Sequence, residues 1–268
     1  MCIRDSSSRT PCSSRTPRTI TLLTDFGTAD SYVAEVRGVL LSSAPGTTLV
    51  DLTNEIAPGD IRSAAYILGR TWHRFPKGTI HLVVVDPGVG SSRAALALRA
   101  HGHRFVGPDN GVFTPVLHDA EVEAVELPLR EGASSTFHGR DLFAPAAAAL
   151  ATGASLTSLG PRFAGMPHRL AYTPPRRENG AVVGEVVYVD RFGSLITNLT
   201  ADLVPHHAKV EIDELEIGRL HQTYNDVATG SLLAYIGSGG AVEIAVRDGS
   251  AARHLGVGMG GRVRARLD

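Results

Sequence analysis

The chain has 268 residues, a formal net charge of −1 and 43% hydrophobic residues, enough for one large or two modest domains that bury about three-quarters of their unfolded surface without staples. The balanced charge offers no basic field for nucleic acid or an acidic membrane, and no apolar run approaches the ~20 residues of a membrane span. Both cysteines, Cys2 and Cys12, precede the folded part, which is left with no disulfide and no cysteine-based metal site.

Residues 1–18 are rich in Ser, Arg, Thr and Pro and lack the apolar core of a signal peptide. They read as a disordered or non-native extension, and a cytoplasmic protein is the default. Ile20 to Thr24 is a short apolar strand ending in Asp25-Phe26-Gly27-Thr28. From Asp30 to Leu41 the residues Tyr32, Val33, Val36, Val39 and Leu40 recur on one helical face, with Asp30 or Ser31 as N-cap. Pro45-Gly46 breaks that helix; Thr48 to Leu52 is the next strand and Asp60 to Trp72 an Ala-rich helix. Ile80 to Val85 is apolar enough for a strand buried on both faces, and it ends abruptly in Asp86-Pro87-Gly88-Val89-Gly90-Ser91-Ser92-Arg93. Strand, helix, strand, helix, strand is the pattern of a parallel sheet with crossover helices. Neither a G-x-G-x-x-G turn after the first strand nor a Walker sequence is present, so the nucleotide-binding versions of that pattern are excluded.

Two short strands, Ala94 to Arg99 and Arg104 to Val106, flank a turn at His101-Gly102-His103. Gly107-Pro108-Asp109-Asn110-Gly111 is a strong turn, Val122 to Leu127 a further strand, and Thr136-Phe137-His138-Gly139-Arg140-Asp141 opens a helix over Leu142 to Ala151. Residues 19–173 therefore form an α/β domain with a mainly parallel sheet. Residues 174–181, Pro-Pro-Arg-Arg-Glu-Asn-Gly-Ala, make the best linker. Within residues 182–268 the strands Val182 to Val189, Ala208 to Ile212, Glu214 to Ile217, Leu232 to Ile236, Ala241 to Val246 and Arg262 to Arg266 follow one another with no helix between them. That pattern predicts a small antiparallel β-barrel.

Each polar cluster alone has a bland explanation. Asp86 is an acid in a β-turn, Asp25 a strand-end turn cap, Asn110 a turn former in Asp-Asn-Gly, and Phe192 a barrel aromatic. Their number and order point further. Thr24-Asp25-Phe26-Gly27, Asp86 to Ser91 with Arg93, Pro108-Asp109-Asn110-Gly111, Phe137-His138-Gly139-Arg140-Asp141, and Asp190-Arg191-Phe192-Gly193 with Thr197-Asn198 resemble, in that order, the S-adenosyl-L-methionine (SAM) hydroxide adenosyltransferases. These are the adenosine-forming SAM hydrolases related to the fluorinase and chlorinase, and the likeness covers about Ile20 to Asp268.

The resemblance implies an α/β N-terminal domain, a β-barrel C-terminal domain and a homotrimer. Active sites would lie between the first domain of one subunit and the barrel of the next. It implies attack of water or hydroxide on the ribose C5′ of SAM, giving adenosine and L-methionine. SAM is the substrate, and neither cofactor nor metal is called for. The family's Asp, Arg, His set falls on Asp86, Arg93 and His138; the halogenase branch lacks it. For the substrate, the resemblance puts Asp25 on the ribose hydroxyls, Asp190 and Ser238 on the amino-acid end, Phe192 on the adenine face, and the Val246 backbone with residue 194 at the adenine edge. Asn110 lines the pocket. Asp30 fits a helix cap better than a methionine contact.

The chemistry suits these residue types. A sulfonium is already a good leaving group, so what is scarce is an oriented nucleophile at neutral pH. A carboxylate, a guanidinium and an imidazole orient water and stabilise developing hydroxide. Asp86 or His138 could accept its proton, and the sequence leaves that choice open; Arg93 stays charged. Ser194 stands where the family commonly has Asn, and Arg247-Asp248-Gly249-Ser250 replaces its usual Gly-Asn-Ala-Ala, which bears on adenine selectivity. The remaining histidines, His81 and His103 among them, are scattered and read as structural. Three other readings stand behind SAM hydrolysis: a SAM-dependent halogenase, a SAM- or adenosine-binding module with negligible turnover, and a metal-dependent hydrolase that gathers Asp25, Asp51, Asp86 and Asp109 at one sheet edge.

Overall fold

The structure, a computed structural model, describes residues 18–129 and 131–266. The expected N-terminal tail, apart from Arg18, and both cysteines lie outside the described residues. Two sheets organise the chain. The first has six strands: β1 (Thr19–Thr24), β2 (Thr48–Thr53), β3 (Ile80–Val84), β4 (Ala95–Ala100), β5 (His103–Pro108) and β6 (Glu123–Glu126), in the order β2-β1-β3-β5-β4-β6. β2, β1, β3 and β5 run parallel, with Ile20 opposite Ile80 and Ile80 opposite Arg104.

β4 and β6 are antiparallel additions at one edge. The chain reverses at His101 and Gly102, whose φ values are 51° and 81°. Two successive left-handed residues are what a tight hairpin needs, so β4 and β5 pair as neighbours instead of crossing over. The sheet is thus mixed, with a parallel centre.

Alternate residues of the central strands feed two cores. Ile20, Leu22, Ile80, Leu82 and Val84 meet helices α1 (Tyr32–Ser43) and α3 (Ala144–Thr152) through Val36, Leu40, Ala147 and Leu150. Leu23, Val83, Val85 and Phe105 meet helix α2 (Ile61–Thr71) through Ala64 and Leu68, together with Val112 and Phe113. Every residue of β3 is buried, as its composition requires. Asp60 caps α2, accepting from the Ser63 N–H at 3.0 Å. Of the two residues expected to cap α1, the structure places Ser31 there and not Asp30. Ser31 takes the N-cap position without a capping bond and donates its hydroxyl to Glu35 at 2.7 Å, while Asp30 is exposed outside the helix.

The second sheet contains β7 (Arg176–Glu178), β8 (Ala181–Val189), β9 (Leu195–Thr200), β10 (Lys209–Ile212), β11 (Leu215–His221), β12 (Leu232–Ile236), β13 (Ala241–Val246) and β14 (Arg262–Arg266). The order runs β14-β10-β11-β12-β13-β9-β8, and β14 also pairs with β8, which closes a seven-stranded barrel. Its pairs are antiparallel except β11 with β12. The core is aliphatic: Val182, Val186, Leu195, Leu199, Val210, Ala234, Ile244 and Val263.

Two differences from the sequence reading stand out. Within the expected linker, Arg176–Glu178 forms β7, an edge strand on β8. Its Arg-Arg-Glu composition carries no strand signal, because backbone pairing with β8 and an ion pair from Glu178 to Arg262 of β14, rather than apolar burial, hold it. A short helix α4 (Ala251–Leu255), capped by Ser250, interrupts the strands. The barrel rests on α2, where Tyr188 of β8 stacks on Tyr66 with ring centres 4.5 Å apart.

Candidate active site

The carboxyl ends of β1, β3 and β5 bring three polar loops together, as parallel strands do. After β3 the chain makes two consecutive turns, Val89 N–H to the Asp86 carbonyl at 3.2 Å and Ser91 N–H to the Gly88 carbonyl at 3.0 Å. They return Arg93 to Asp86. Gly90 has φ +78°, and a Cβ there would lie 2.8 Å from the Ser135 carbonyl oxygen, so this loop can touch the segment before His138 only as glycine. Asn110 braces the same corner: its Nδ2 donates to the Val85 carbonyl at 2.8 Å, and its Oδ1 accepts from the Val112 N–H at 3.2 Å.

Arg93 grips Asp86 with a fork. Its Nε donates to Oδ1 at 2.9 Å and its Nη2 to Oδ2, and the two side chains are only 11% and 6% exposed. Nη2 also reaches Nδ1 of His138 at 2.8 Å. Phe143 places its ring 5.3 Å from the Arg93 guanidinium. His138 is 6% exposed, and its Nε2 is buried with no hydrogen-bond partner among the described residues. Burial, reinforced by the Arg93 charge, holds its imidazole below the usual histidine range.

A π-helical turn, Gly139–Phe143, follows His138 and leads into α3. The helix expected from Leu142 thus opens on a wider turn, a feature often found at functional sites. Within this turn, Arg140 ties Asp141 (Nε to Oδ1, 2.6 Å) to Glu35 of α1 (Nη1 to Oε2, 2.9 Å). Asp141 in turn accepts the Ser134 N–H at 2.9 Å. The segment carrying His138 is therefore tied to the start of α1.

Asp25, just beyond β1, accepts the Gly59 N–H at 2.8 Å. Burial pushes its carboxyl up; the Gly59 bond opposes this, and the nearby Asp86 charge adds to it. Asp25 and Asp86 thus follow neighbouring parallel strands at the same sheet edge, near enough for one charge to act on the other. The other two strand-end acids have different partners: Asp51 pairs with Arg37, and Asp109 accepts the His168 N–H at 2.7 Å. The four do not gather. Among the described residues no three His, Cys, Asp or Glu side chains come together as a metal site.

The barrel residues form two separate groups. In the β8–β9 loop, Oδ1 of Asp190 accepts from the Phe192 N–H at 2.9 Å and the Ser194 N–H at 2.8 Å, which fixes the turn. Ser194 is buried, while Phe192 stands out with 77% of its surface exposed. Val246 ends β13 beside this loop, and its carbonyl accepts the Gly249 N–H at 3.1 Å. The neighbouring α4 donates its Ala252 N–H to the Gly193 carbonyl at 2.9 Å. Ser238 lies beyond the opposite end of β13, 3.5 Å from Nη2 of Arg70. Within one chain, then, Ser238 does not share a rim with Phe192.

Sequence reasoning missed Gly59, Phe143 and the Glu35–Arg140–Asp141 clamp. The Pro58-Gly59 turn between β2 and α2 was a usable signal for the first; a ring beside a guanidinium has none.

Comparison with known proteins agrees with this geometry. Family models described as the SAM hydroxide adenosyltransferase N-terminal and C-terminal domains match residues 20–160 and 184–264. A Salinispora tropica protein named (R)-S-adenosyl-L-methionine hydrolase is 42% identical over 259 residues, covering 91% of this chain and 96% of its own. A Thermus thermophilus protein of the same name is 40% identical, covering 92% and 99%. A fluorinase from an Actinoplanes species is more distant, 28% identical over 67% of this chain and 71% of its own. The crystal structure of an uncharacterized conserved protein from Thermotoga maritima superposes with a TM-score of 0.86 at 36% identity, covering 92% of this chain and all of that one.

Proposed function

The chain belongs to the SAM hydroxide adenosyltransferase family, and we propose on that premise that it hydrolyses SAM to adenosine and L-methionine by attack of activated water on the ribose C5′. The single observation that carries this reading is the contiguous Asp86–Arg93–His138 network at the carboxyl edge of the sheet. A carboxylate and a cation, both largely out of water, can hold a water in line and stabilise hydroxide as it develops. Asp25, at the same sheet edge as Asp86, would take the ribose hydroxyls and so bring C5′ toward the triad.

In this reading residues 19–173 supply the nucleophile and residues 182–268 hold the substrate. Phe192 would stack on adenine, with Ser194, the Val246 backbone and Asp190 around it, Ser238 at the amino-acid end and Asn110 bracing the pocket. The exposure of Phe192 supports a homotrimer in which this loop serves a neighbouring subunit's acids. The enzyme would act in the cytoplasm without a cofactor. Among the described residues no helix is long and apolar enough to cross a membrane.

Purified protein is incubated with SAM in chloride-free buffer containing EDTA, and products are followed by chromatography. Equal amounts of adenosine and methionine are expected. SAM binding without adenosine would leave a binding module, and a product formed only with chloride would leave a halogenase.

A further inference from the structure

The triad contains two groups able to accept a proton, and its hydrogen bonding separates them. A guanidinium has five N–H donors and no acceptor. Nη2 of Arg93 lies 2.8 Å from Nδ1 of His138, so Nδ1 offers a lone pair. A neutral ring with a bare Nδ1 carries its proton on Nε2. Moving that proton to Nδ1 would point one N–H at another. Nε2 is itself buried with no partner among the described residues. Neither ring nitrogen is left with a lone pair for water.

Asp86 is arranged the other way. Each of its oxygens accepts one bond from Arg93, and a carboxylate oxygen has two lone pairs. One remains on each. Arg93 is further fixed by its Nη1–H to the Ala94 carbonyl at 3.3 Å and by the Phe143 ring.

We propose that His138 is a positioning residue, a neutral Nε2–H imidazole that holds Arg93 through Nδ1, and that Asp86 takes the proton from the attacking water. The inference rests on the SAM hydrolase reading and deepens it. As the water oxygen bonds to C5′, the C5′–S electron pair leaves with methionine. One O–H proton passes to Asp86, which releases it to solvent. The sum is SAM cation and water to adenosine, methionine and one proton.

The test has two arms. In the substrate-free enzyme labelled with 15N-histidine, long-range proton–nitrogen correlation at pH 8 reads the ring tautomers. The signal missing from His138→Asn is expected to show an acceptor-type Nδ1 and a protonated Nε2; a protonated Nδ1 overturns the proposal. In the second arm, turnover is compared for His138→Asn, whose amide oxygen falls near Nδ1, and for His138→Gln and His138→Ala. Asn is expected to lose about tenfold, Gln and Ala about a hundredfold or more. If folded His138→Asn falls as far as Ala, within the ~10²–10⁴-fold of a lost general base, the positioning role is wrong. If that variant does not fold, the signal is assigned through His138→Gln and the tautomer decides. Absence of turnover in the wild type sinks the parent reading and the role of Asp86 together, whereas a protonated Nδ1 sinks this inference alone.

Discussion

One sheet buries a histidine near each end, and the two are built for different ends. At the amino half of β3, His81 is fully buried; its Nδ1 bonds the Thr21 hydroxyl at 2.8 Å and its Nε2 meets Nδ1 of His103 at 3.3 Å. Phe105 stacks on it at 4.9 Å. Both nitrogens are satisfied by neutral groups, and burial, with the His103 ring, pushes its pKa down to about 3. At the carboxyl end His138 is also buried and also shifted down, yet it touches a guanidinium, and its Nε2 has no partner among the described residues. Burial and a depressed pKa therefore do not mark the histidine of the candidate site. A charged partner and a place at the carboxyl edge of the strands do.

The comparison breaks most sharply under substitution. Asp86→Asn is expected to lower kcat by ~10²–10⁴-fold with SAM still bound, while His81→Gln, at the other end, leaves kcat near pH 7.5 within about twofold. Steady-state kinetics with a binding isotherm check both; equal losses would erase the distinction. Next in size is Phe192→Ala. An exposed ring adds little to folding, so the melting temperature should hold, but lost base stacking of ~1–3 kcal/mol should raise KM by roughly five- to 150-fold.

The third prediction concerns acid. His81 has its folded pKa below its unfolded value, so the unfolded chain takes the proton first. Stability is then flat above about pH 6.5 and falls as pH drops toward 3, by roughly 1.4 kcal/mol per pH unit for one such group. His103 and His138 shift the same way and add to the wild-type slope. Urea melts at pH 7.5, 5.5 and 4.5 should show a shallower fall for His81→Gln; identical slopes would contradict the assignment. The smallest effect is expected of Arg140→Ala. That arginine is partly exposed, so loosening the clamp on the His138 segment should cost no more than about fivefold in kcat.

Much of the α/β half was legible because its signals are local. The apolar run into Asp86, the Asp-Phe-Gly turn and the His-Gly-Arg-Asp segment each state their place in the chain. The hairpin at His101-Gly102 was visible as a turn, but not as the feature that makes the edge antiparallel. Barrel closure depends on β14 returning to β8, a pairing between residues about eighty apart that no local pattern encodes. β9 was hidden because Leu195–Thr200 reads partly as the end of a loop motif. His81 and His103 look scattered at a spacing of 22, and parallel pairing of β3 with β5 brings them together. The contrast between the two histidines was therefore beyond sequence reading, although every residue in it was in view.

The central claim is that water, held by Asp86 and Arg93, attacks C5′. It is tested most directly by one turnover of SAM in 18O-water, with mass spectrometry of both products. The account predicts one heavy oxygen in adenosine and none in methionine. Unlabelled adenosine would contradict it.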